Sequence, residues 1–273
     1  MNFLHGFSPS PIALELIGIK IYWYGLLIAI GAFLAYMVYF FITKKILKSS
    51  YLFSYIENLI VYLIIFGFIG ARLYHVLARL PYYLKNPIEV FYVWQGGLGI
   101  FGGIIGGIIV LYFYNKKKPF FKNKYKSFLR ITDILAPGII LAQAIGRWGN
   151  YFNSELFGSP VSWGIPIPVL KRPSMFKGFE YFQPTFLYES LWNLIVFLIL
   201  ILLVVKFIKK RPGLITGSYL MLYSLGRFVI EFFRIDSQPQ FLGLRMAQIF
   251  CLGLIIVAGF IFLKLGKLKL SNS

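Results

Sequence analysis

Apolar residues in this chain come in long runs separated by short polar loops. Runs at about 20–43, 55–79, 92–115, 131–149, 186–208, 213–235 and 243–265 are each about as long as a helix that crosses the roughly 30 Å hydrocarbon core of a bilayer. The fourth is the weakest, because it contains Asp133 and Pro137 and runs straight into a polar stretch. The longest segment between runs, 150–185, carries Pro160, Pro166, Pro168, Pro173 and Pro184, which predict turns and short strands rather than a helix. The pattern predicts an all-α integral membrane protein with about seven transmembrane helices. It forms one polytopic domain over 1–273, with 150–185 as a small irregular cap.

Composition agrees with that reading. Hydrophobic residues make up 59% of the chain and charged residues 14%, well under the roughly 25% of soluble domains. The formal net charge of +19 could suggest nucleic acid, but the placement of the charge excludes it. Lys44, Lys45 and Lys48 follow the first run, and Lys116, Lys117, Lys118, Lys122, Lys124, Lys126 and Arg130 follow the third. Lys206, Lys209, Lys210 and Arg211 follow the fifth, and Lys264, Lys267 and Lys269 end the last. Basic residues therefore collect on one side of the membrane, which the positive-inside rule makes cytoplasmic, with the N-terminus outside and the C-terminus inside. The run from Ile21 has no basic cluster before it and reads as a retained anchor rather than a cleaved signal. The single cysteine, Cys251, excludes an internal disulfide and a cysteine-rich metal site, and it reads as a small buried hydrophobe. Trp94, Trp163 and Tyr82 near run ends read as interface anchors, and His5 belongs to a loose terminus.

The third run contains a glycine ridge in which Gly99, Gly103 and Gly107 share a helix face, and close helix packing is its preferred reading. Gly97-Leu98-Gly99-Ile100-Phe101-Gly102 matches a dinucleotide fingerprint in form only, since it lies within an apolar run and lacks the strand–turn–helix context. Ionisable groups inside runs are costly and mark sites. Arg72, Arg147 and Arg227 are three such groups, each needing an anion, carbonyl ligands or water. His75 follows Arg72 by three and reads as an interfacial histidine. Tyr223, Arg227 and Glu231 are four apart, so a helix puts them on one face. Their spacing fits equally an internal ion pair and an anion clamp with Glu231 aligning the arginine. Around Arg147, Asn150, Asn153 and Glu155 add donors and acceptors, and Gly149 permits close backbone approach. Two arginines near the outer leaflet suit an anionic ligand, and a phospholipid phosphate is the obvious one, since guanidinium can donate two hydrogen bonds to it at once. No zinc spacing, phosphate loop or serine elbow is present.

The run Gly146-Arg147-Trp148-Gly149-Asn150-Tyr151-Phe152-Asn153-Ser154-Glu155-Leu156-Phe157-Gly158 resembles the signature of the prolipoprotein diacylglyceryl transferase family. Ile21-Tyr22-Trp23-Tyr24-Gly25, Gly70-Ala71-Arg72-Leu73, the glycine ridge, 184–189 and 226–234 are similar to the family's other motifs and follow in its order. The resemblance implies seven membrane helices in a bacterial inner membrane and a site facing the periplasm. It also implies transfer of the diacylglyceryl group of phosphatidylglycerol to the lipobox cysteine of a prolipoprotein, with glycerol phosphate released and no metal or nucleotide cofactor. On that resemblance Arg147 and Arg227 stabilise the leaving phosphate, and Glu231 orients Arg227. Asn150 and Glu155 shape the head-group pocket with Asn153 and Tyr223, and Tyr24 and Gly158 belong to the site.

The chain departs from the family where many members carry histidine: Phe101 stands in the glycine-rich helix and Gln183 before the proline-containing motif. Neither residue takes a proton. The acceptor for the thiol proton is then Glu155, Glu231 or Tyr24, or water before attack. A lipid flippase or transporter, and a non-catalytic lipid-binding subunit, are the rival readings. The absence of an internal repeat speaks against the transporter.

Overall fold

The computed structural model describes residues 10–16, 19–93, 96–119 and 121–270, with side chains described as far as 265. His5 and Trp94 lie outside these residues. Among the described residues the helices are α1 (Trp23–Phe40), α2 (Ser50–Ala78), α3 (Leu80–Lys85), α4 (Ile100–Lys117), α5 (Lys124–Phe152), α6 (Thr185–Phe207), α7 (Leu214–Ile230) and α8 (Met246–Leu270). Five are long and apolar enough to cross a membrane: α1 with its π-helical extension Phe41–Ile46, α2, α5, α6 and α8. Their lipid-facing character shows in exposed large apolar side chains such as Phe33, Ile64, Leu198 and Ile256.

Several boundaries differ from the hydropathy pattern, each for a local reason. α4 starts at Ile100 rather than near 92, because Gly96 and Gly97 adopt φ of 90° and 76° and break the backbone there. α7 stops at Ile230 rather than at 235, and a 3-10 turn, Glu231–Phe233, follows. A hairpin of β5 (Gln240–Phe241) and β6 (Leu244–Arg245), turning through Leu242 and Gly243 at positive φ, then leads into α8. α5 is the reverse case: it runs through Pro137 for 29 residues, and more than half of its apolar window is buried in protein. Its polar residues thus face protein, which is why the run looked weak as a lipid-facing span.

The chain divides into two compact units, 43–131 and 1–42 with 132–273. In the first, α2 and α4 touch backbone to backbone. A Cβ on Gly102 would collide with the carbonyl of Gly70, and one on Gly106 would sit 2.5 Å from the carbonyl oxygen of Phe66. The contact face is therefore Gly99, Gly102 and Gly106, one step round from the ridge of Gly99, Gly103 and Gly107. Gly103 and Gly107 make only ordinary contacts. Arg72 is satisfied internally by carbonyls of Glu89 (2.6 Å), Val90 (2.8 Å), Gly96 (2.8 Å) and Gly97 (3.1 Å). His75 lies edge-on to Tyr83.

In the second unit, α1 lies against α5, where Gly138 admits the backbone of Ala35 and Trp23 stacks on Phe152 with centroids 4.6 Å apart. β1 (Ile12–Leu16) and β2 (Ile19–Tyr22) pair antiparallel ahead of α1. Between α5 and α6, β3 (Pro160–Pro166) pairs with β4 (Tyr181–Phe182), separated by two 3-10 turns. Tyr151, Phe157, Ile165, Ile167, Phe182 and Phe186 form a small apolar core beneath them. The prolines thus yield the turns and short strands their spacing predicts.

Asp133 has a defined task. Fully buried, its carboxylate accepts from the backbone N–H of Gly213 (2.6 Å) and Thr216 (2.8 Å) and from the Thr216 hydroxyl (2.7 Å). It ties α5 to the N-terminus of α7, where the helix dipole favours an anion. Asp133→Ala leaves buried donors unmet and is expected to cost about 2–4 kcal/mol. Thermal melting of the solubilised protein measures this, and a midpoint within a degree of the parent would refute the assignment.

Candidate functional site

The polar centre of the second unit is built on α6. Thr185, Glu189 and Asn193 are buried and four apart, so they form a polar stripe along one face of an otherwise apolar helix. The Thr185 hydroxyl bonds the Leu156 carbonyl and fixes the start of α6 to the loop after α5. Trp148 donates to Ser190 (3.1 Å), whose hydroxyl donates to the Ala144 carbonyl (2.9 Å), so α5 and α6 are locked side by side one turn from Arg147.

Glu189 faces two arginines. Its Oε2 lies 2.7 Å from Arg147 Nε, and its Oε1 bonds Arg227 Nη1. Arg227 Nη2 in turn lies 2.6 Å from Glu231 Oε2, and Arg245 Nε lies 3.1 Å from the other Glu231 oxygen. Arg234 sits 3.9 Å from Glu189 and 3.7 Å from Glu231, and grips Asp236 with two hydrogen bonds of 2.8 and 2.9 Å. Arg245 also donates to the carbonyls of Arg234 (2.7 Å), Glu231 (3.2 Å) and Asp236. Four guanidinium groups thus meet three carboxylates, leaving one positive charge in excess. Glu231 is fully buried, whereas the Arg147 side chain keeps 21% exposure and is the most open of the four.

Arg227 and Glu231 therefore pair as their spacing suggests, and Glu189 brings Arg147 to the same cluster. Tyr223 stacks on Tyr219 and lies within electrostatic reach of Arg147 and Arg227. Asn150 is buried one turn along, its side-chain oxygen 3.4 Å from Arg147 Nη1. Its carbonyl accepts from the N–H of Glu155 (2.9 Å), closing a turn in which Ser154 takes positive φ, as Leu156 does just after it. Asn153 bonds Gly149 through its backbone, and the Glu155 side chain is exposed. Gly158 pairs with Arg234 in an isolated bridge, and a Cβ there would lie 2.8 Å from both Gln183 Cβ and the Phe233 carbonyl oxygen. Tyr24 is more than a third exposed and packs its ring over Gly149. Gly226, beneath Arg227, has no room for a Cβ because the Trp192 indole, bonded to the Leu222 carbonyl (2.9 Å), lies against it.

Sequence reasoning assigned no role to Glu189, Arg234, Asp236 or Arg245. Glu189 was legible from the Thr185–Glu189–Asn193 stripe. The other three depend on the chain leaving the helix at Ile230, which hydropathy does not reveal.

A model of the family described as prolipoprotein diacylglyceryl transferase matches residues 11–264. The chain is similar to proteins named phosphatidylglycerol--prolipoprotein diacylglyceryl transferase in several bacteria. Identity is 43% to that of Prochlorococcus marinus (strain MIT 9301), over 94% of this chain and 93% of the relative. It is 41% to that of Trichormus variabilis (strain ATCC 29413 / PCC 7937), over 89% and 84%. It is 40% to that of Staphylococcus xylosus, over 95% and 90%.

Burial alone would raise the Asp236 carboxyl, but hydrogen bonds and charge from Arg234, with Gln238 and Arg245, hold it below the ordinary carboxylate range. A depressed carboxyl contributes stability fully above its unfolded value, about 4, and loses that contribution as pH falls through the folded value. Melting of the solubilised protein is expected to fall more steeply below pH 4 than that of Asp236→Asn. Parallel pH curves would contradict the pairing.

Proposed function

We infer the chemistry of this site from one premise: the chain belongs to the prolipoprotein diacylglyceryl transferase family. It is a transferase that carries out the first step of bacterial lipoprotein maturation, moving the diacylglyceryl group of phosphatidylglycerol to a prolipoprotein. The acceptor is the lipobox cysteine thiol. Its thiolate attacks the diacylglycerol carbon that bears the phosphate. A carbon–sulfur bond forms, the carbon–oxygen bond breaks with its electron pair, and glycerol phosphate leaves carrying the added negative charge.

The observation that carries this reading is Glu189 bridging Arg147 and Arg227 in a cluster with one spare positive charge. A phosphodiester monoanion matches that surplus. Arg147, the most open of the four arginines, binds the phosphate and stabilises the charge that develops on departure. Arg227, held on both sides by carboxylates, is a second, more rigid source of positive potential. Glu189 aims both guanidinium groups, and Glu231 orients Arg227 and Arg245. Glu231 is fully buried with one oxygen on Arg227 and the other on Arg245, out of reach of an incoming thiol, which argues against it as the acceptor and leaves Glu155, Tyr24 and water. Asn150 supports Arg147, while Asn153, Gly158 and Tyr223 shape the wall around it. The enzyme needs no nucleophile of its own, in keeping with a buried Cys251.

The membrane arrangement follows the same reading. α4 and α7 join the five longer helices as crossings, the lysine-rich loops lie in the cytoplasm, and 150–185 forms a periplasmic cap beside the arginine cluster. The N-terminus faces the periplasm of the bacterial inner membrane and the C-terminus the cytoplasm.

Incubating purified protein with phosphatidylglycerol vesicles and a lipobox peptide is expected to add one diacylglyceryl mass to the peptide cysteine. Arg147→Ala is expected to lower the rate by at least about a hundredfold while the protein still elutes as a folded species. Glu189→Gln is expected to slow transfer comparably, because both arginines lose their aim. Near-parent rates in both variants would reject the clamp. A pH–rate profile separates the acceptors, since a carboxylate gives a limiting group well below the thiol's own value, about 8.5.

A further inference from the structure

The helix pair α2 and α4 holds a second feature that the transfer reaction does not use. Backbone contact at Gly70–Gly102 and Phe66–Gly106 pins the two helices together along their middle. Toward the lysine-bearing end the contact changes character. Gly107 meets only the end of Leu63 at 3.9 Å, and bulky rings take over: Tyr114 packs edge-on to Tyr55 (5.0 Å) and against Tyr62 (5.9 Å). Rings cannot approach as closely as glycines, so the helices spread. The result is an open cleft of about 440 Å³, apolar along Phe66, Ile109, Val110 and Phe113, with Lys117 and Lys118 also in its lining.

The shape and the chemistry suit the same guest. An apolar trough with two lysines in its lining matches a molecule with a hydrocarbon chain and an anionic head. Neither ammonium meets a carboxylate among the described residues. Tyr114 gives its hydroxyl to the Tyr55 carbonyl and Tyr55 gives its own to the Lys118 carbonyl, so the phenols fix the walls and leave the lysine ammoniums free. We propose that the cleft between α2 and α4 holds one anionic phospholipid, with an acyl chain along Phe66, Val110 and Phe113 and its phosphate on Lys117 and Lys118. Basic pockets between membrane helices commonly take such head groups. The site lies in the unit 43–131 and is separate from the arginine cluster, which belongs to the other unit.

The test uses phosphatidic acid, an anionic lipid that is not the transfer substrate, added to delipidated full-length protein and followed by native mass spectrometry. One lipid held at this cleft is expected to remain bound in Arg147→Ala protein, where the arginine cluster no longer takes a phosphate, with phosphatidylcholine of the same chains binding at least tenfold more weakly. Lys117→Gln with Lys118→Gln is expected to weaken the complex by about thirtyfold, taking roughly 1 kcal/mol per lysine near a lipid phosphate. Val110→Trp, which fills the trough without touching charge, is expected to reduce occupancy as well, and Arg147→Ala is expected to leave it unchanged. Equal binding of phosphatidylcholine would overturn the proposal. So would occupancy that follows Arg147 and ignores the lysines and Val110.

Discussion

The carboxylate of Glu189 is the constraint on which the rest of the polar interior depends. It sits in an apolar helix, is almost wholly buried, and spends its two oxygens on two different arginines from two different helices. A buried carboxylate with one partner removed becomes strongly destabilising, commonly by about 3–5 kcal/mol. The mutual need of Glu189, Arg147 and Arg227 therefore fixes the facing of α5, α6 and α7 more sharply than apolar packing alone, which tolerates rotation and repacking. Specificity of arrangement, rather than net stability, is what such a cluster supplies.

The second tier of the cluster depends on the first. Glu231 and Asp236 stand just past the end of α7, where the chain leaves helical geometry, and this brings Arg234 and Arg245 back onto the carboxylates. A straight continuation of α7 would carry them along the membrane normal, away from Glu189. The turn after Ile230 and the hairpin before α8 are thus part of the site's construction. So is Gly158, whose missing side chain lets the loop after α5 pair with Arg234.

How much of this was legible in the sequence follows from the range of the interactions. Hydropathy located every long helix, because lipid imposes a length on each segment regardless of its neighbours. The signature from Gly146 to Gly158 located Arg147, and i,i+4 spacing paired Arg227 with Glu231, as the 2.6 Å contact bears out. What could not be read was anything requiring knowledge of which helix faces which. Glu189 as the shared partner is one case, and the shift of the glycine contact face to Gly102 and Gly106 is another. Asp133 was read as a flaw in its span because its partners lie some eighty residues away. Pattern arguments see the residue; they do not see the N-terminus of α7 waiting for it.

That same aspartate carries a mechanical consequence. α7 is fastened at its first turn by Asp133 and near its last by the carboxylates around Arg227, attachments about 16 Å apart along the axis at 1.5 Å per residue from Thr216 to Arg227. A rod gripped at both ends has lost axial sliding and rotation about itself as soft modes. The guanidinium it bears is then a fixed coordinate rather than an arm that reaches out. A diffusing head group has to travel to it, and turnover has to draw its compliance from segments that are not so tethered.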